Sequence, residues 1–160
     1  METEAAKDGV YMQNQAVDGK RFMDVLLVED NPGDVRLAHE AFNNVNSPVN
    51  LYVAGDGKIA MSFLRREGKY SNAPRPNLIL LDLNFPKMDG RETLAQIKQD
   101  EDLKVIPTII LTSSDSEPDL RYCYQNHANC YIKKPTEWDG FKLIARHVND
   151  LWLGVALLPN

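Results

Sequence analysis

The sequence predicts a doubly wound α/β fold, with five parallel strands flanked by five helices. Short apolar runs bounded by turn residues, such as Leu78–Leu81, are typical of strands buried on both faces. These runs alternate with capped segments of helical periodicity, which indicates a parallel sheet with helices on both faces. Right-handed crossovers leave few topologies, and among them we predict the flavodoxin-like strand order 2-1-3-4-5.

Each element has its own signal. The apolar runs predict strands, in chain order, at Met23–Val28, Val49–Ala54, Leu78–Leu81, 106–111 and Cys130–Lys133. Polar side chains able to cap a helix N-terminus precede each helical segment, at Asn31, Asp56, Asp89, Ser116 and Thr136. The first helix is predicted to end near Val45, and the last follows helical spacing from Phe141 to Trp152. Gly and Pro residues predict a surface loop over residues 66–77.

Composition limits the kind of protein. The 160 residues are 43% hydrophobic and 26% charged, which suits one domain with a full core. We expect this domain over residues 23–152, after a flexible leader at 1–22 and before an apolar extension at 153–160. The net charge of −5 argues against a nucleic-acid partner. Without a secretion signal, a membrane-length apolar run or paired cysteines, a cytoplasmic location is expected.

Three acids follow the two strands that this topology makes neighbours. Glu29 and Asp30 come after the first strand and Asp82 after the third, at the edge where such sheets bind ligands. At about 4 Å and an effective dielectric near 20, each pair of carboxylates repels by on the order of 4 kcal/mol. Such a cluster takes up protons or holds a cation, and oxygen ligands alone favour Mg²⁺ over Ca²⁺. Because Mg²⁺ commonly bridges carboxylate and phosphate, the site is predicted to serve phosphate chemistry.

Two further side chains are predicted at this edge. Thr112 ends the fourth strand and Lys134 follows the fifth, so they offer a hydroxyl and an ammonium group to phosphoryl oxygens. Asp82 is the candidate nucleophile, because an aspartate carboxylate can form an acyl phosphate. Each residue also has a purely structural interpretation: Asp82 and Thr112 as caps of turns, and Lys134 as a solvated surface lysine. Five such residues at one sheet edge favour the functional interpretation.

Together these residues resemble the receiver domain of response regulators in two-component signalling. Thirty residues separate Asp82 from Thr112 and twenty-two separate Thr112 from Lys134, as in that family, and Pro86 begins its P-x-M-D-G turn. The resemblance implies that Asp82 accepts a phosphoryl group from a phosphohistidine on a sensor histidine kinase. It also implies that Glu29, Asp30, Asp82 and the backbone carbonyl of Asn84 hold Mg²⁺.

The resemblance further implies how the signal leaves the site. Thr112 would turn toward the phosphoryl group, and Tyr131, nineteen residues later, would be the aromatic that rotates with it. The face formed by the fourth helix, the fifth strand and the fifth helix would report the change to a downstream protein that the sequence does not identify. The chain would be a phosphoacceptor rather than an enzyme, acting through another protein or within a phosphorelay.

Two features resemble the small receivers that partner phytochrome-type kinases: the long loop at 66–77 and the apolar ending from Trp152 to Pro159. Those receivers are dimers, and we expect a homodimer held partly by the C-terminal end.

A Mg²⁺-dependent phosphatase or phosphotransferase of the haloacid-dehalogenase type is an alternative, but it needs an acid where Asn84 stands. A flavin-binding flavodoxin lacks its phosphate loop here. A receiver that only docks is the third alternative.

Overall fold

The computed structural model of the protein describes residues 9–12, 22–85 and 87–159. The strands are β1 (Tyr11–Met12), β2 (Met23–Val28), β3 (Val49–Ala54), β4 (Leu78–Leu81), β5 (Thr108–Thr112) and β6 (Cys130–Lys133). The α-helices are α1 (Pro32–Asn43), α2 (Gly57–Leu64), α3 (Gly90–Gln99), α4 (Glu117–Gln125) and α5 (Trp138–Val148). A short 3₁₀ helix (Gly68–Tyr70) follows α2, and a π-helical segment (Asn149–Val155) follows α5.

The strands form one sheet in the order β1-β3-β2-β4-β5-β6. The five predicted strands are β2 to β6, which are parallel and in the predicted order, so the flavodoxin-like fold is confirmed. β1 is an additional two-residue strand that pairs antiparallel with the outer edge of β3. It lies within the region expected to be a flexible leader, whose residues 1–8 and 13–21 lie outside the described part of the chain.

The sheet has a buried apolar layer on each side, because alternate residues of a strand point to opposite faces. Leu26 and Ile79 face the layer covered by α2, α3 and α4, whereas Leu27 and Leu80 face the layer covered by α1 and α5. Burying each such side chain contributes about 1.5–3 kcal/mol to folding. β2 and β4 are therefore fixed on both faces, which makes their carboxyl ends a rigid support for the residues that follow.

Side chains cap four of the helices as predicted. Asn31, Asp56, Asp89 and Ser116 each accept a hydrogen bond from a backbone N–H in the first turn of the following helix. The predicted cap at Thr136 is wrong: α5 begins at Trp138, so Glu137 is its N-cap residue and makes no side-chain capping bond. The strand predicted to begin at Ile106 begins at Thr108, because the Ile106 N–H bonds to the Leu103 carbonyl in a turn.

The C-terminal end departs from a regular helix. The regular pattern predicted through Trp152 stops at Val148, and the wider π turn redistributes the apolar residues that follow. Trp152 and Leu153 pack against the α1–α5 side of the core, whereas Leu151 is 55% exposed. Among the described residues, no helix is long and apolar enough to cross a membrane.

Candidate functional site

The carboxyl ends of β2 and β4 bring three acids together. Val28 pairs with Leu81 in the sheet, so Glu29 and Asp82 leave their strands side by side. Each of Glu29, Asp30 and Asp82 offers a carboxylate oxygen, and these oxygens all lie within 4.8 Å of one another. Glu29 and Asp82 are buried and Asp30 is exposed, so the cluster opens to solvent on one side.

Backbone contacts hold the buried acids in place. The Leu83 N–H donates to Asp82 Oδ1 at 2.7 Å, and the Asn31 N–H donates to Glu29 Oε1 at 3.0 Å. The first turn of α3 lies against the end of β4, since an added Cβ at Gly90 would lie 1.9 Å from the Asp82 carbonyl oxygen. Only glycine permits this approach, so the turn that follows Asp82 has little freedom to move.

Lys134 lies at the centre of the acids. Its Nζ donates to Glu29 Oε2 at 2.6 Å, Asp34 Oδ2 at 2.9 Å and Asp82 Oδ2 at 3.0 Å, and its side chain is 8% exposed. Burial lowers the pKa of Lys134, but the hydrogen bonds and negative charges of Glu29, Asp34 and Asp82 outweigh it and raise that pKa above its usual value. One ammonium group therefore compensates several carboxylates, which leaves the site with excess negative charge.

Asp34 is the member of this group that sequence reasoning missed. Its position three residues after the Asn31 cap identified it as a helix-start acid, a role that the Asn31 hydrogen bond to its backbone N–H supports. The start of α1 lies at the same sheet edge as Lys134, and the Asp34 carboxylate reaches it there. The available signal was topological: any acid in the first turn of a helix that follows β2 lies at this edge.

The pKa of Glu29 reflects its burial next to another acid. Burial raises the pKa of Glu29 to about 7, with a further contribution from Asp82, although hydrogen bonds from Lys134 and the Asn31 N–H oppose the shift. An additional cation stabilises the ionised form of a carboxyl group that lies buried beside two other acids. The donor set consists of carboxylate oxygens, which fits a hard divalent ion.

Metal binding is expected to strengthen between pH 6 and pH 8. Between 4.5 and about 7 the native protein holds a proton on Glu29 that the unfolded chain has lost, so without metal its stability falls as pH rises through this window. A proton on Glu29 competes with the cation, and we expect Mg²⁺ affinity to be about 10-fold weaker at pH 6 than at pH 8. Thermal unfolding with and without MgCl₂ at each pH measures this difference in affinity.

Glu29→Gln is the control, because its side chain cannot titrate, and it should lose the pH dependence. An equal Mg²⁺ effect at both pH values in the unchanged protein would contradict the prediction.

The other predicted residues lie around this centre. Thr112 is fully buried at the end of β5, and its Oγ1 accepts a hydrogen bond from the Ser114 N–H at 3.4 Å. The Tyr131 hydroxyl on β6 donates to the Ser114 carbonyl at 2.8 Å. Asn84 is exposed, two residues after Asp82. The structure brings Glu29, Asp30, Asp82 and Lys134 into one cluster, and it places Thr112 and Tyr131 on the adjoining strands.

Comparison with known proteins gives a family match over most of the chain. Residues 25–146 match the family model described as the response regulator receiver domain. The chain is 47% identical over 136 residues to the response regulator Rcp1 of Synechocystis sp., a match that covers 84% of this chain and 92% of Rcp1.

Two solved structures extend the comparison. The phosphorylated cyanobacterial phytochrome response regulator RcpA superposes with a TM-score of 0.84 at 46% identity, covering 88% of this chain and 100% of RcpA. The Mn²⁺-bound form of Rcp1 superposes with a TM-score of 0.82 at 44% identity, covering 86% of this chain and 99% of Rcp1.

Proposed function

This chain belongs to the response regulator receiver family, and we therefore propose that Asp82 accepts a phosphoryl group from a phosphohistidine on a sensor histidine kinase. The observation that carries the proposal is the position of the Asp82 carboxylate. It lies at the carboxyl edge of the sheet, 3.0 Å from the Lys134 ammonium and within the cluster formed with Glu29 and Asp30.

In the proposed reaction, an oxygen of the Asp82 carboxylate attacks the phosphorus atom. The P–N bond to the kinase histidine breaks, an O–P bond forms, and the leaving imidazole takes a proton from solvent. The Leu83 N–H holds Oδ1 of Asp82, and Lys134 faces Oδ2, so the carboxylate is oriented before the donor arrives. Lys134 then offers its positive charge to the phosphoryl oxygens.

The metal of this proposal is Mg²⁺, held by Glu29, Asp30, Asp82 and the backbone carbonyl of Asn84. When bound, it neutralises charge on the phosphoryl oxygens. The three carboxylates and the excess negative charge support a divalent cation here. The Mn²⁺-bound form of the similar protein Rcp1 also supports one.

Output is proposed to depend on Thr112 and Tyr131. The Thr112 hydroxyl is free to donate toward a phosphoryl group on Asp82, since in its contact with the Ser114 N–H it is the acceptor. The Tyr131 hydroxyl donates a hydrogen bond to the Ser114 carbonyl in the same loop. A movement of that loop would therefore break or keep the hydrogen bond that fixes the Tyr131 ring. The face formed by α4, β6 and α5 would present this change to a downstream protein.

The proposed kinase is of the phytochrome type, and the proposed location is the cytoplasm. The similarity to RcpA, described as a cyanobacterial phytochrome response regulator, supports the first part. We also propose a phosphoacceptor rather than an enzyme acting on small molecules. Asn84 stands where a haloacid-dehalogenase-type phosphatase needs its second acid, and an amide cannot protonate a leaving group. A docking-only receiver would have no need of the Lys134-centred cluster.

Phosphorylation by acetyl phosphate tests the function. Intact mass after incubation with acetyl phosphate and MgCl₂ should show one phosphoryl adduct, and EDTA should prevent it, because the acidic cluster repels the phosphate dianion until a cation is present. Addition of excess MgCl₂ to the EDTA sample is the control and should restore the adduct. An unmodified mass with Mg²⁺ present would favour the docking-only alternative.

A homodimer formed through the C-terminal end is also proposed. Trp152 and Leu153 pack on their own domain, but Leu151, Val155 and Leu157 remain 55%, 77% and 99% exposed. Apolar side chains left exposed so close together indicate a surface covered by a partner, and a symmetric partner would cover the same residues on both chains.

Charge at this surface should separate the two copies. We expect the unchanged protein to sediment as a dimer at micromolar concentration and the double variant Leu151→Glu/Val155→Glu to sediment as a monomer, because symmetry places each new charge in the interface twice. Val105→Glu is the matched control, since Val105 is 49% exposed but lies between α3 and β5. A monomeric unchanged protein, or a dimeric double variant, would contradict the proposal.

A further inference from the structure

A pair of contacts outside the acidic cluster joins the first turn of α3 to α4. Arg91 Nε donates a hydrogen bond to Asp119 Oδ1 at 2.8 Å, and Nη2 forms an ion pair with the same oxygen at 2.6 Å. Both side chains are partly buried, with exposed fractions of 31% and 15%. The Tyr122 hydroxyl adds a bond to the Arg91 carbonyl at 3.2 Å. Charge-assisted bonds at partly buried positions are stronger than the usual surface ion pair.

On one side, this ion pair is linked to the backbone of Asp82. Arg91 follows Gly90, whose N–H donates to the Leu83 carbonyl at 3.0 Å. The close approach of Gly90 to the Asp82 carbonyl leaves no space between the end of β4 and the start of α3. A displacement of the backbone that carries Asp82 must therefore move the first turn of α3 as well.

On the other side, the pair is linked to Tyr131. The second oxygen of Asp119, Oδ2, accepts a hydrogen bond from Ser114 Oγ at 2.5 Å, and the Ser114 carbonyl accepts the Tyr131 hydroxyl. Hydrogen bonds from Ser114 and Arg91 hold the pKa of Asp119 below its usual range, so it stays ionised in this role. The contacts run continuously from Asp82 through Arg91 and Asp119 to Tyr131, without a step through Thr112.

We propose that Arg91 and Asp119 are positioning residues that couple the end of β4 to Tyr131, as a second link beside the one through Thr112. With the pair intact, the loop after β5 is held against α3 and its Ser114 carbonyl stays in place for Tyr131. A change at Asp82 then reaches Tyr131 from two directions. The coupling to phosphorylation rests on the proposed function, whereas the link between α3 and the loop does not.

The link itself is tested by hydrogen exchange of the backbone amides of residues 113–117 and 119, which needs no phosphorylation. Arg91→Gln and Asp119→Asn should each accelerate this exchange by roughly 10-fold, and the double variant no further, because either change removes the same contact. Arg91→Lys keeps the charge without the two-nitrogen contact and should give a smaller acceleration. Arg121→Gln is the matched control, since it breaks an exposed pair with Glu117 on the same helix.

The proposal is overturned if Arg91→Gln accelerates exchange no more than Arg121→Gln, or if the two single effects add in the double variant.

The coupling is tested by the NMR signal of the Tyr131 ring before and after acetyl phosphate with Mg²⁺. Arg91→Gln should accept the phosphoryl group within about 2-fold of the unchanged rate, because Arg91 lies outside the acidic cluster, yet show a reduced Tyr131 response. A full Tyr131 response in this variant would overturn the coupling. An unchanged protein that accepts no phosphoryl group would instead refute the proposed function, and the exchange experiment would still decide the link.

Discussion

Replacing Asp82 by asparagine is expected to abolish phosphorylation of the protein. The amide keeps the shape of the side chain but is not a nucleophile, so no acyl phosphate can form. The fold should persist, because the change removes one of several negative charges around Lys134 and so relieves repulsion with Glu29. Intact mass after incubation with acetyl phosphate and MgCl₂ should show the unmodified chain only, and thermal unfolding should show a folded protein.

Asp34→Asn is the matched control for this prediction. Asp34 loses the same charge and also contacts Lys134, at 2.9 Å, but it is not a member of the three-acid cluster. This variant should still carry one phosphoryl group. A phosphoryl adduct that survives in Asp82→Asn would place the acceptor on another residue and contradict the assignment.

Replacing Lys134 by methionine is expected to destabilise the metal-free protein by about 3–5 kcal/mol near pH 8. The side chains of Glu29 and Asp82 are only 2% and 7% exposed, and among the described residues the Lys134 ammonium is the positive group that contacts both. Methionine fills a similar volume but leaves these carboxylates buried without a positive partner. The free energy of unfolding in urea, with EDTA present, measures the loss.

The loss should depend on pH and on Mg²⁺ in a defined way. The pKa of Glu29 is about 7 with Lys134 present, and removal of this cation raises it further, so a proton neutralises Glu29 as the pH falls and the penalty becomes smaller. Added Mg²⁺ should restore part of the stability at pH 8 by supplying positive charge. The matched control is Lys133→Met, since Lys133 is 60% exposed and contacts the exposed Asp115, and it should have little effect. Equal destabilisation by both substitutions would show that Lys134 is not the essential cation.

The sequence was sufficient for the fold and for the approximate placement of the candidate site. Apolar runs such as Leu78–Leu81 and caps such as Asn31 and Asp89 act over a few residues, and the structure retains them. Once the strand order is known, Glu29 and Asp82 must be neighbours, because β2 and β4 pair directly. The physical reason is that burial periodicity and capping are local, and the carboxyl ends of parallel strands share one edge.

Short-range signals were less reliable where competing contacts decide the outcome. The Thr136 cap was wrong because α5 begins at Trp138. The antiparallel strand Tyr11–Met12 was missed because two residues carry no detectable alternation. The π turn after Val148 was missed because its sequence still reads as a continuous helix, although it places Leu151 at the surface and Trp152 against the core.

Local periodicity and chain connectivity were enough to place Glu29, Asp30, Asp82, Thr112 and Lys134 at one sheet edge, because together they set the order of the strands. Which of these groups contact one another depends on the packing of the helices on the sheet. Lys134 lies 100 residues from Asp34 and 105 from Glu29 along the chain, and Arg91 lies 28 from Asp119. These partnerships depend on how far each side chain reaches across packed elements, a property that no local pattern contains because it arises only when the helices settle onto the sheet.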